Sequence, residues 1–470
     1  MPTLVTGHPT PARIAQGALI SEMAEQSEHP SIKRFRERPV TALNQSPVTL
    51  DARELRDICL QAGADDVGFV EIDRAELGRE RDDILQFFPP TKALISFVVR
   101  MNLQPIHNPA RSVANVEFEQ TGHHVNETAH HIVAALAEKG IRGINPAMGF
   151  PMEVARGTGN KLWVVSHKHV AVAAGLGQMG IHRNVIHPKF GNFILLGTVL
   201  LDAEISEYQH PVDYNPCVEC KLCVSACPVG AIGSDGEFNF SACYTHNYRE
   251  FLGGFTNWVE QIADSRNASE YRSRVTDGES ASMWQSLSFG ANYKSAYCMG
   301  VCPAGDDVLA PFLTNRAQYI RDVVRPLQDK EETVYVVPKS DAEEYVARRF
   351  PHKQIKRVGN GLNRLLSIQS FLNGMPLTFQ RNQSKGLDAT YHFIFTGKEE
   401  REATVTIRDQ KLEISEGHNE KADIVVTADS QTWLGFLAKE RNLVWALLRR
   451  KIRIKGSPRL LLAFGKCFPS

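Results

Sequence analysis

The sequence has no net charge: 53 Lys and Arg balance 53 Asp and Glu over 470 residues. No global basic field exists to hold nucleic acid, which is therefore not expected as a partner. Long hydrophobic runs are missing as well. No stretch approaches the roughly 18–20 apolar residues of a membrane span, so no membrane partner is expected. The first residues, Met1-Pro-Thr-Leu-Val-Thr-Gly-His8, lack a basic segment followed by an apolar run and lack a twin arginine, and the expectation is a cytoplasmic chain. Structural zinc prefers two separated cysteine pairs to a run of four thiols. Dispersed thiols of a secreted disulfide scaffold are absent. Seven of the nine cysteines fall instead between positions 217 and 302, leaving Cys59 and Cys467 as ordinary core or surface thiols.

What is present is Cys217-Val-Glu-Cys220-Lys-Leu-Cys223-Val-Ser-Ala-Cys227-Pro228. Three thiols two residues apart wrap a loop around three corners of a cube, and the fourth, closed by proline, points to a neighbouring cluster. This is the bacterial ferredoxin run. Its second half is Cys298-Met-Gly-Val-Cys302-Pro303, with Cys243 between the two. Pseudo-twofold logic assigns Cys217, Cys220, Cys223 and Cys302 to one [4Fe-4S] cluster, and Cys227, Cys243 and Cys298 to a second. A complete second run would place a thiol three residues before Cys298, where Ser295 stands. The second centre is then a three-iron cluster, takes another ligand such as His246, or is absent.

The length suggests about three domains. Residues 1–47 are polar, rich in Glu, Ser, Pro and Arg and without a sustained period, and read as a mobile or surface-wrapping arm. From Thr49 the pattern is globular. Leu50, Leu55, Ile58 and Cys59 share a helical face after a capping Asp51. Val67–Ile72 and Ala93–Val99 read as strands, and Val125–Lys139 as a helix, an alternation that points to an α/β domain. His123, His124, His130 and His131 near that helix read as exposed polar residues; no His-Glu-x-x-His pattern makes them ligands.

The stretch Lys168-His-Val-Ala-Val-Ala-Ala-Gly175-Leu-Gly177-Gln-Met-Gly180 places glycines where backbone can approach a flat or phosphate-bearing ligand. It follows a small-residue helical run, and no acidic residue sits suitably about twenty positions on, so a nicotinamide fold is disfavoured. Together with Pro188-Lys-Phe190-Gly191, Leu196-Gly197 and the cysteine run, this order resembles the corrinoid-dependent reductases, epoxyqueuosine reductase and the reductive dehalogenases, over about residues 50–355. The resemblance implies a nitroreductase-like corrinoid-binding α/β domain at 48–205, with a bacterial two-cluster ferredoxin module at 206–355. It implies cobalamin held base-off; the chain indeed lacks the Asp-x-His-x-x-Gly signature of histidine-ligated corrinoid proteins. By resemblance Gly175, Leu176, Gly177, Gly180, Phe190, Gly191 and Leu196 line the corrinoid. Where epoxyqueuosine reductases carry an acidic proton donor this chain has Lys161, a lysine whose pKa a nearby cationic cofactor would lower into a proton donor's range.

Between Cys243 and Cys298 an insert, Tyr244–Tyr297, carries Trp258, Tyr271 and Trp284 and reads as a lid over the substrate pocket. A strand at Val334–Pro338 and a helix at Ala342–Phe350 close the module near residue 355. Residues 356–470 give four strands, two helices, a strand and a last helix, an α+β order that resembles the sterol-carrier-protein type of domain. That likeness implies a hydrophobic tunnel, or a degenerate copy used as a roof or dimer contact. The expectation is a cobalamin- and iron–sulfur-dependent reductase of a small hydrophobic substrate, in the manner of reductive dehalogenases. Its electron donor is a ferredoxin, flavodoxin or reductase, and a homodimer is allowed. The alternatives are an electron-transfer or corrinoid-reactivating protein, an epoxyqueuosine reductase-like tRNA-modifying enzyme, and a lipid carrier with a structural cluster.

Overall fold

The computed structural model describes residues 29–36, 49–153, 163–359, 365–438 and 440–469, apart from the side chains of Phe35 and Leu443. The chain divides into two units, Met1–Val48 and Thr49–Ser470. The described part of the first is a helix, Pro30–Arg36, which the absence of an apolar period did not predict. Lys33, Arg34 and Arg36 lie in its last turn, where cations suit the helix dipole.

In the second unit Asp51 caps the helix Ala52–Ala62 by accepting from the Arg53 and Glu54 N–H groups, both at 2.9 Å. The helix ends at Gly63 in the left-handed conformation. Its buried side holds Ala52, Leu55 and Cys59. The sheet beside it runs in the order Asp66–Glu71, Ala93–Arg100, Ile194–Leu201, Gly143–Ile144. All three pairings are antiparallel. The alternation of strands and helices thus gave the right kinds of element but not their direction, and this part is α+β. Connection type decides direction, and the chain between the two central strands is a long excursion rather than a single crossover helix.

That excursion contains the helix Arg111–Glu138, which begins well before the expected Val125. Its first half buries Ala114, Asn115, Thr121 and Gly122, small or polar residues that leave no hydrophobic period to read. His123, His124, His130 and His131 are exposed along it. A short helix, His167–Ala173, packs on the central strands and carries the glycine segment away from them.

The cysteine region is a set of short helices, Leu222–Ala226, Phe240–Asn247 and Tyr297–Gly300. The insert, with its charged helical pattern, is three helices, Gly253–Ala263, Ala268–Arg274 and Asp277–Phe289. The Trp258 indole N–H donates to the Tyr271 hydroxyl at 2.9 Å and so ties the first two together. A strand–helix–strand unit follows, Thr333–Val336, Asp341–Arg349 and Gln354–Arg357, with the two strands parallel. A boundary at 355 would cut through that last strand.

The C-terminal sheet runs Lys411–Glu416, Arg401–Arg408, Ala389–Thr396, Ile424–Asp429, Ile452–Gly456. Phe371, Phe393, Phe395, Trp433 and Phe464 fill the space between it and its helices with edge-on and tilted ring pairs. This layer is joined to the cysteine region. Asp341 accepts from the Asn382 and Gln383 N–H groups at 2.8 and 3.2 Å, and Arg381 pairs with Asp235.

Candidate iron–sulfur centre

Cys217, Cys220, Cys223 and Cys302 line one small hollow, together with Ile181, His182, Val218, Lys221 and Ala304. The loop that brings the first three together is bent by two non-glycine residues at positive φ, Glu219 at 48° and Lys221 at 60°. Such residues cost of order 1–3 kcal/mol and persist where a site requires them. Lys221 opens the helix Leu222–Ala226, which holds Cys223. Cys223 and Cys302 are buried, Cys217 and Cys220 half-buried.

Cys227, Cys243 and Cys298 form a second group: Cys243 is close enough to Cys227 and Cys298, and Cys298 to Cys227, to feel their charge. The Cys227 sulfur accepts from the Ala231 N–H at 3.3 Å. Entry to the Cys298 helix repeats the device of the first group: Ala296, at φ 52°, opens Tyr297–Gly300 as Lys221 opens Leu222–Ala226. By that match Ser295 occupies the place of Cys220. Its hydroxyl donates to Asn247 Oδ1 at 3.1 Å, and the same oxygen accepts from the Ser295 and Ala296 N–H groups at 3.0 Å each. His246, the other candidate ligand, stacks on Tyr335 and accepts from its N–H at 3.4 Å. The largest charge effects on His246 come from Glu332, Lys294, Lys353 and Lys330, and its Nε2 is buried with no hydrogen-bond partner among the described residues.

These sites fit clusters. Burial, and in Cys223 and Cys302 the neighbouring thiols, push the thiol pKa values up, Cys298 and Cys302 to about 12. Such groups ionise when a coordinated metal takes the proton's place. Among the described residues no three His, Cys, Asp or Glu converge on a single-ion site. The four thiols of the first group instead line one hollow.

The residues assigned to the corrinoid are differently placed. Leu176, Phe190 and Leu196 are buried in one apolar cluster with Val98, Ala171, Val185 and Ile194. A Cβ at Gly177 would overlap the Ile186 carbonyl, one at Gly175 the His210 carbonyl, and one at Gly180 the Ile186 and His182 side chains. Gly191, at φ 66°, lies so close to Ala304 that a Cβ would overlap its carbonyl oxygen. The Asp306 and Asp307 N–H groups donate to the Pro188 and Lys189 carbonyls, both at 2.9 Å. Gly191 therefore seats the loop against the cysteine region, while Gly175, Gly177 and Gly180 lie in close contact with His210, Ile186 and His182; the corrinoid role of the seven residues rests on the resemblance. Lys161 lies outside the described residues.

Two residues escaped the sequence reading. Lys168 donates to the Arg183 carbonyl at 2.7 Å and to Asn184 Oδ1 at 2.9 Å. Desolvation lowers its pKa although the side chain keeps an exposed face, while Cys298 and Cys243 act the other way, so its ammonium stands between the glycine loop and the second thiol group. The other is Asn247, which holds Ser295. Neither stands at a ligand spacing, and only the lysine's place at the head of the Lys-His segment was a signal.

Residues 210–233 match the 4Fe-4S binding domain family, and residues 377–469 match the SCP-2 sterol transfer family. Part of the chain is 31% identical over 121 residues to the epoxyqueuosine reductase of Lactococcus garvieae, covering 26% of this chain and 33% of that protein. It is 36% identical over 80 residues to that of Staphylococcus aureus, covering 17% and 20%. The matches thus span about a third or less of these relatives. A solved catabolic reductive dehalogenase superposes with a TM-score of 0.35 at 14% identity over 62% of this chain and 37% of that one, too slight a likeness to fix the fold. Both halves of the expected resemblance are met: an iron–sulfur segment similar to epoxyqueuosine reductases is joined to a C-terminal SCP-2 segment.

Proposed function

We propose that this chain is a corrinoid-dependent iron–sulfur reductase acting on a small hydrophobic organic substrate, with domains at 48–205, 206–357 and 358–470. What carries the reading is the meeting of four thiols with Ile181 and His182, from the glycine segment, around one hollow. Cys217, Cys220, Cys223 and Cys302 would hold the first cluster, and Cys227, Cys243 and Cys298 three corners of the second. Amide N–H groups around Cys227 lower its pKa against the rise that burial imposes, and they would stabilise charge on a ligating sulfur. Cys223 feels the charge of Cys298, so the two groups adjoin and an electron would have a short path between them. Cobalamin, when bound, would supply a strongly reducing metal centre. Because the seven residues assigned to it are engaged in packing, no step is routed through it, and its base-off, nitroreductase-like seating belongs to the proposal. The proton-donor role of Lys161 rests on sequence alone.

The epoxyqueuosine reductase names of the relatives favour a second reading, a tRNA-modifying reductase. One experiment separates these readings. Anaerobically reconstituted protein is assayed for iron, by electron paramagnetic resonance, and for optical change on adding cobalamin. Two sets of cluster signals and a base-off corrinoid spectrum are expected. Clusters without corrinoid binding would leave an electron carrier in place of a reductase. Turnover of epoxyqueuosine-containing tRNA would select the second reading over the first.

A further inference from the structure

The chain is neutral overall, but its charge is not evenly spread. After residue 440 it has eight Lys and Arg and no Asp or Glu. That segment folds as the helix Leu443–Leu448, the edge strand Ile452–Gly456 and the helix Pro458–Lys466. On the first helix Val444, Trp445 and Leu448 are 62, 61 and 68% exposed, and i, i+1, i+4 spacing puts them on one side. Arg449, Arg450 and Lys451 follow directly and are exposed. On the edge strand Ile452 is buried while Arg453 and Lys455 are exposed, as the two-residue period of a strand requires. On the last helix Arg459, Leu462 and Lys466 share the exposed side, and Leu462 is 70% exposed.

Little within the protein answers these charges. The Arg449 guanidinium lies over the Trp445 ring at 5.8 Å, Arg441 donates to Thr432 Oγ1 at 2.9 Å, and Lys451 stands 4.0 Å from Asp429. Among the described residues Arg450, Arg453, Lys455, Arg459 and Lys466 have no carboxylate partner. Cations on an edge strand guard against strand pairing, which accounts for Arg453 and Lys455. That guard gives no reason for a tryptophan and two aliphatic side chains in water beside three consecutive cations.

We infer that the exposed side of residues 441–466 docks on a lipid bilayer surface bearing anionic headgroups. Trp445, Val444 and Leu448 enter the interfacial region, where an indole is favourably placed, and the surrounding Arg and Lys meet the headgroup charge. The chain lies on the membrane and does not cross it; no helix among the described residues is long and apolar enough to span. This revises the expectation of no membrane partner, and it stands independently of the reductase reading. A polyanion such as RNA would use the cations but would leave Val444 and Leu448 unexplained.

The test is co-sedimentation of the full-length, cluster-loaded chain with vesicles of phosphatidylcholine alone or with about one-third phosphatidylserine. Binding to the anionic vesicles at least tenfold above the neutral ones is expected, falling steeply with added salt. Arg449→Glu/Arg450→Glu should abolish it. Trp445→Ser/Leu448→Ser should weaken it at least fivefold while leaving the cluster absorbance and circular dichroism of the parent. Equal binding to both vesicles, or none, would overturn the proposal. So would structured RNA binding that the Trp445→Ser/Leu448→Ser variant retains in full, or sedimentation showing that Trp445 and Leu448 pair two copies of the chain in place of meeting vesicles.

Discussion

The two thiol groups are built with the same backbone device and filled with different residues. In each, a non-glycine residue at positive φ, Lys221 or Ala296, opens a short helix that presents a cysteine, Cys223 or Cys298. Upstream of that residue the first group has Cys220 and the second has Ser295, whose hydroxyl is turned to Asn247. The first group closes around a hollow with four thiols. The second has three thiols and a nearby ammonium, Lys168. The same helix entry thus follows a thiol in one group and, in the other, a serine held by one asparagine. Likeness of loop shape is no proof of a fourth ligand.

The comparison is broken most severely by removing a thiol from each side. Cys223→Ser should cost the first centre, roughly half of the bound iron, and its resonance signal, whereas Cys298→Ser should remove only the second centre's signal. If either variant loses both resonance signals, the groups are one cooperative site. Gly191→Ala is expected next. Its Cβ would overlap the Ala304 carbonyl beside Cys302, at a φ that side chains rarely adopt, and should cost about 1–3 kcal/mol. Thermal unfolding should show a midpoint several degrees lower, and an unchanged midpoint would mean that the loop does not clamp the cysteine region. Lys168→Met should have the smallest effect. Removal of a positive charge disfavours the reduced state, so the second centre's potential should fall by on the order of tens of millivolts while the first moves less. A redox titration followed by electron paramagnetic resonance reads both, and equal shifts would erase the electrostatic distinction between them.

Much of the C-terminal region was legible because its signals are local. Thr390–Thr396, Ala403–Arg408, Lys411–Ser415 and Asp423–Thr427 carry their own strand pattern and appear within a few residues of those bounds. The helix Ile368–Thr378 was missed, since Gly374 and Pro376 interrupt its pattern. The edge strand Gln354–Arg357 was missed because it is short, polar and held by its parallel neighbour. The basic, tryptophan-bearing segment after residue 440 stood in the sequence throughout; only its exposure gave the charges a direction.

The sequence by itself determined the cysteine run, the missing thiol at Ser295 and the two-part character of the chain, because ligand spacing and strand alternation are written in consecutive residues. Tertiary structure decided that the N-terminal sheet is antiparallel, that the conspicuous glycines serve backbone contact, and that Lys168 stands by the second thiol group. Each of these depends on which distant segment arrives alongside. A glycine's neighbour or a lysine's nearest charge lies tens of residues away, and close packing in the folded chain, not spacing along it, selects that neighbour.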